Sequence, residues 1–195
     1  HDAIIRDTTI GTVFIVARGP AYLSGAGFGV DSQRAVVQVA DIGTAADSLM
    51  LREVFTRGLE RSVHAFTSAG KRVILVYGVP EMGFLPEECV IGRPFGLRVP
   101  RQPCSITRAA YDRRNRAFRR LVADVAVRNP ALETFDAAPL FCDSLWCSAR
   151  RQDRLLYQDG NHLTIDGSRL VTASLLPFMV GRPASALVAA RELAR

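Results

Sequence analysis

Arg72-Val73-Ile74-Leu75-Val76-Tyr77-Gly78-Val79-Pro80 is the stretch that decides the fold. Four successive aliphatic residues without polar alternation read as a strand buried on both faces, the mark of a parallel sheet covered by helices. Gly78 and Pro80 then stop it. Upstream, Thr12-Val13-Phe14-Ile15-Val16-Ala17 repeats the pattern and ends at Arg18-Gly19-Pro20. Downstream, Glu133-Thr134-Phe135-Asp136 reads as a third strand. Between the first two lie a Gly-bearing loop from Leu23 to about Ala46 and a helix capped by Asp47 or Ser48. That helix runs to about Ser68, with Leu51, Val54, Phe55, Leu59, Val63 and Phe66 on one side, and Gly70 closes it. Glu81 to about Ile106 is irregular. Further helices are expected over about Thr107–Arg128, closed by Asn129-Pro130, over about Ile165–Met179, and from about Ala184. This alternation predicts an α/β sandwich with a parallel sheet, one domain over residues 1–195. Ligands in such sheets bind outside the carboxyl ends of the strands. The segments to inspect are therefore Ala17–Tyr22, Gly78–Phe84, Asp136–Cys147 and the loop before Ile165.

With 195 residues, 48% hydrophobic, the chain has material for a substantial core and is not a disordered segment. Its apolar runs fall far short of the ~20 residues a spanning helix needs. His1-Asp2-Ala3-Ile4-Ile5-Arg6 lacks the basic start and apolar centre of a signal peptide, so any targeting element is expected outside this sequence. Net charge is +6, and of 25 basic residues only Lys71 is a lysine. That is either an arginine-rich bias or a surface that meets phosphates, sugar acids or anionic lipid heads. No finger or aromatic-interleaved basic stripe points to nucleic acid. The densest run, Arg113-Arg114-Asn115-Arg116 with Arg119 and Arg120, is expected on the wet side of a helix whose other face carries Tyr111, Phe118, Leu121, Val122 and Val125.

Cys89, Cys104, Cys142 and Cys147 lie in loop-like segments. Their even number suggests two disulfides, and pairing of neighbours is the simplest of three connectivities. Zinc is the rival, although the spacings do not form paired short Cys/His hooks. Disulfides would imply an oxidising compartment. Gly25-Ala26-Gly27-Phe28-Gly29 neither directly follows a strand nor opens a helix, so it reads as a surface loop rather than a dinucleotide site.

Of the three histidines, His1 is terminal and His64 sits mid-helix. His162 differs. It lies in Tyr157-Gln158-Asp159-Gly160-Asn161-His162-Leu163-Thr164, just before a helix. The Asp159-x-x-His162 spacing lets the carboxylate fold back onto the imidazole, fixing its tautomer and leaving the second nitrogen to take a hydroxyl proton. An ordinary loop pair has the same spacing.

Leu140-Phe141-Cys142-x4-Cys147, followed by Leu156-Tyr157-x-Asp159-x-x-His162-Leu163-Thr164-x-x-Gly167, resembles the end of SGNH (GDSL-like) domains. In particular it resembles those fused to type-3 membrane acyltransferases, which O-acetylate lipopolysaccharide, peptidoglycan and other envelope glycans. Val13–Tyr22 is similar to that family's strand ending in Ala-Ala-Arg-Trp and a tyrosine, and Val73–Glu81 to its next strand with a Pro-Glu end. The likeness spans roughly residues 10 to 175.

It implies a three-layer SGNH/flavodoxin-like sandwich and catalysis by a serine from a Gly-Asp-Ser block at the end of the first strand. No Gly-Asp-Ser occurs here, and Asp31-Ser32, Asp47-Ser48 and Asp143-Ser144 follow the wrong segments. The nucleophile and first strand are thus expected upstream of His1, leaving this an N-terminally incomplete domain; a nucleophile-free domain is the alternative. His162 would be general base and acid, and Asp159 its orienter. Arg18, at the strand end, would stabilise negative charge or grip an anionic acceptor, or else form an ion pair. Gly19 replaces the family's Trp, which would widen the pocket or change the acceptor. The expected function is extracytoplasmic O-acyl transfer to an envelope-glycan hydroxyl, in the periplasm. The membrane domain on the same polypeptide would use a donor such as acetyl-CoA, and this domain would need neither metal nor cofactor. A stand-alone carbohydrate esterase and a glycan- or acyl-binding module are the alternatives.

Overall fold

The Val73–Val76 run becomes the middle of the sheet because both of its faces find apolar cover. In a computed structural model, which describes residues 1–32, 39–40, 51–90 and 99–179, strand β2 spans Arg72–Tyr77. It pairs in parallel with β1 (Thr12–Val16) on one side and β4 (Leu132–Asp136) on the other, giving the order β1-β2-β4. Register places Phe14 beside Ile74 and Leu75 beside Thr134.

Alternate residues of β2 serve different layers. Val73 and Leu75 pack with Leu59, Val63 and Phe66 of α3 (Leu51–Ser68) and Phe118, Leu121, Val122 and Val125 of α4 (Arg108–Arg128). Ile74 and Val76 pack with Phe135 and with Phe178 of α5 (Ile165–Met179). The helices therefore cover both faces of a parallel α/β sheet, as the alternation predicts. β1 differs: every one of its residues is at least partly exposed, up to 69% at Val16, and among the described strands only β2 pairs with it.

The expected elements fall where local chemistry puts them. Thr107 caps α4 by accepting from the Ala110 N–H at 3.2 Å. The early part of the helix expected from Asp47 or Ser48 and the helix expected from Ala184 lie outside the described residues. Two short helices were not anticipated: α1 (Asp2–Arg6), and α2 (Gly19–Ser24), which has Pro20 in its first turn and ends at Gly25 with φ 69°. Gly29 is required by its φ of 60° and by a close approach, since a Cβ there would collide with the Gly83 backbone.

The segment read as irregular before α4 supplies β3 (Ser105–Thr107), which pairs antiparallel with β5 (Trp146–Ser148). A second ribbon joins β6 (Arg150–Arg151) to β7 (Arg154–Leu155). Beneath these connections lies a cluster containing Met82, Phe84, Tyr111, Phe141, Leu156 and Tyr157. Two disulfides hold it, Cys89–Cys104 and Cys142–Cys147, pairing sequence neighbours. Among the described residues no helix is long and apolar enough to cross a membrane, and no group of three or more His, Cys, Asp or Glu could hold a metal ion.

Candidate active site

The loops at the carboxyl ends of β1 and β2 meet the loop that precedes α5. Its base is set by the backbone: Gln158 N–H donates to the His162 carbonyl at 2.8 Å, and Tyr157 bridges Leu163. Within it, Asp159 Oδ1 accepts the N–H groups of Asn161 at 2.8 Å and of His162 at 2.7 Å. Its Oδ2 lies 2.7 Å from His162 Nδ1. Partial burial works against ionisation of Asp159, but those N–H bonds and the imidazole outweigh it and hold the carboxyl below its usual range. A carboxylate at Nδ1 selects the tautomer that carries its proton there and leaves Nε2 as a lone-pair base. The imidazole side chain is 73% exposed, and Nε2 has no partner among the described residues.

A second layer holds this loop in place. Glu81, just past β2, is buried, with Arg18 Nε on Oε1 and Arg114 Nε on Oε2, both at 2.6 Å. Arg114 also donates to Ser24 Oγ at 3.1 Å and to the Ala26 carbonyl at 2.9 Å. Arg18 Nη2 approaches Asp31 Oδ2 at 3.6 Å, and the same oxygen accepts from Asn161 Nδ2 at 3.0 Å. Met82 N–H donates to the Gly160 carbonyl at 2.7 Å. A chain of ion pairs and one amide hydrogen bond thus runs from the end of β2 through the end of β1 to the turn bearing His162.

Asp159 and His162 are therefore brought together as their spacing predicts. Arg18 forms the ion pair weighed for it and joins the layer behind the dyad, with Nη1 left without a protein partner among the described residues. Glu81, Asp31, Asn161 and Arg114 were not assigned roles from the sequence. Only Glu81 had a signal, as the Pro-Glu end of its strand.

The arginine run is corrected in part. Arg114 is only 12% exposed, Asn115 is buried, and Arg119 turns inward to Asp136 at 2.8 Å and to the Tyr111 hydroxyl. Long arginine stems on the flanks of a helix fold back to the buried Glu81 and the half-buried Asp136 instead of staying in water. His1 packs edge-on to Phe66 and His64 is exposed, both away from this loop. Tyr157 is a core residue edge-on to Phe141, and burial pushes its phenol well up.

The model of the SGNH domain (fused to AT3 domains) matches residues 1–177. The chain belongs to the SGNH family. No curated relative matches it. Among solved structures, the SGNH domain is similar to the periplasmic domain of a Salmonella ser. Paratyphi A lipopolysaccharide acetyltransferase, at 16% identity and TM-score 0.49. That match covers 66% of this chain and 50% of the other, so the SGNH domain spans half the length of that structure.

Proposed function

We propose that this SGNH domain is the extracytoplasmic, periplasmic part of an O-acyltransferase that esterifies a sugar hydroxyl of a cell-envelope polysaccharide such as lipopolysaccharide O-antigen or peptidoglycan. The observation that carries the reading is the Asp159–His162 pair, bonded at 2.7 Å with Nε2 open to solvent at the carboxyl end of a parallel sheet. A membrane acyltransferase domain on the same polypeptide delivers the acyl group from a cytoplasmic thioester such as acetyl-CoA. A serine from a Gly-Asp-Ser segment outside this chain receives it, and the edge of β1 is the place for that segment to pair.

In the transfer step the sugar oxygen attacks the acyl-serine carbonyl while His162 Nε2 takes its proton. The tetrahedral intermediate then expels the serine oxygen, which recovers that proton from Nε2. Asp159 keeps the ring oriented and stabilises the imidazolium between the two events. Arg18 Nη1 is the group we assign to the developing oxyanion or to an anionic acceptor. Two disulfides support an oxidising compartment. Because the imidazole is so exposed, water can replace the sugar, which makes ester hydrolysis the second reading.

The test uses the complete polypeptide. A serine-directed phosphonate should label it once, and His162→Ala should remove the label and lower acyl transfer by on the order of 10³-fold. Transfer within tenfold of wild type in that variant overturns the assignment. Absence of any label on the complete wild-type polypeptide would leave a glycan- or acyl-binding module.

A further inference from the structure

Helix α4 carries seven arginines, and the structure separates them into two groups. Four hold a carboxylate each: Arg108 on Asp112, Arg114 on Glu81, Arg119 on Asp136 and Arg128 on Glu60. The other three, Arg113, Arg116 and Arg120, form no ion pair among the described residues, and all three are exposed. They are not scattered. Spacings of three and four residues put them in one row along the outer side of the helix, spanning about 10 Å. Asp124, one turn further on, forms no ion pair with Arg120.

Like charges three and four residues apart oppose the helix they sit on. This row therefore works against α4: Asp112 and Asp124 stand one turn from Arg116 and Arg120, yet Asp112 pairs with Arg108 and no ion pair among the described residues engages the row, although the same helix finds an acid for each of its other arginines. We infer that the row is a docking surface for phosphate-bearing lipid heads, an anionic membrane surface. Two features favour a lipid surface over a single soluble ligand. The row lies on the convex outer side of a helix whose opposite side, Tyr111, Phe118, Leu121, Val122 and Val125, is buried, so it offers a line of charges to a plane and no enclosure to a small molecule. The cations are all arginine, whose planar fork donates several N–H groups to one phosphate. Since α4 runs back alongside the sheet before β4, docking this row would lay the strands along the surface, with the His162 loop facing sideways over it. The inference stands independently of acyl transfer.

The test is sedimentation of the SGNH domain, carried with the segment that pairs on the β1 edge, with vesicles of phosphatidylglycerol and phosphatidylcholine, against phosphatidylcholine alone. Binding is expected only to the anionic vesicles and should be lost in concentrated salt. Replacing Arg113→Gln, Arg116→Gln and Arg120→Gln together should lower the partition about a hundredfold. The control Arg6→Gln, Arg154→Gln, Arg169→Gln, with the same loss of net charge, should lower it only a few-fold. The row variant should keep its far-ultraviolet circular dichroism and melt no lower than wild type, because repulsion is removed. No binding to the anionic vesicles, equal losses in both triple variants, or capture of soluble polyphosphate without capture of vesicles would each overturn the inference.

Discussion

Glu81 and Asp159 are carboxylates at the same end of the sheet, each bonded through both oxygens, yet their surroundings suit opposite work. Glu81 is buried between two guanidiniums at 2.6 Å, partners that keep their protons in any physiological condition. It cannot exchange a proton with them, so it fastens the ends of β1 and β2 to α4. Asp159 is 42% exposed and faces one imidazole, a partner that can gain and lose a proton within easy reach of water. Burial between permanent charges makes a latch, and a half-exposed contact with a titratable ring is the arrangement that the proposed proton transfer needs.

The sharpest way to break that comparison is to remove each carboxylate in turn. Glu81→Ala leaves the nearly buried Arg114 without its counter-ion and Arg18 with only the 3.6 Å approach of Asp31, and should cost about 3–5 kcal/mol of stability in chemical denaturation. Asp159→Ala should cost under about 1 kcal/mol, as for an exposed pair, while abolishing the proposed acyl transfer. Equal losses of stability would erase the distinction. Next in size come the crosslinks beneath the site. Removing Cys89–Cys104, separated by 15 residues, should cost about 3 kcal/mol, and removing Cys142–Cys147, separated by 5, about 2 kcal/mol. Titration of four free thiols in the oxidised, unfolded protein would sink that prediction.

Acidification gives a smaller and more local effect. Because the folded state holds the Asp159 carboxyl below its ordinary value, the stability from its bonds is present above the unfolded pKa of ~3.9 and is lost as pH falls through the lowered folded value. Amide exchange of Asn161 and His162, corrected for its intrinsic pH dependence, should therefore report loss of protection below about pH 4. Protection that persists to much lower pH would show that Asp159 is not what orders the turn. The smallest effect is expected at Asp31. Asp31→Asn should leave the melting temperature within a few degrees, yet shift the amide resonances of residues 159–162, because it alters only the contact to Asn161 and the 3.6 Å approach of Arg18.

Much of the frame was legible in the chain because it depends on short-range pattern. The unbroken Val73–Val76 run could be covered only in the middle of a sheet, and the Leu51–Phe66 spacing fits one face of a helix. Helix α2 was missed because Gly19 and Pro20, read as the end of a strand, also suit the first turn of a helix. The β3–β5 ribbon was missed because strands of three residues carry too little alternation to register. The arginine run reads in the sequence as mostly one wet face, and the structure divides it between inward-turned ion pairs and an exposed row.

The sequence by itself determined the three strands of the parallel sheet, the long helices and the Asp159–His162 dyad, since the first two follow short-range pattern and partners three residues apart meet through local backbone geometry alone. Only the tertiary structure decided that Glu81 lies between Arg18 and Arg114, and that Asp31 reaches Asn161 across 130 residues of chain. No periodicity encodes such pairs. They follow from how the layers pack, because a carboxylate taken out of water stays charged only where packing brings cations or N–H donors to it.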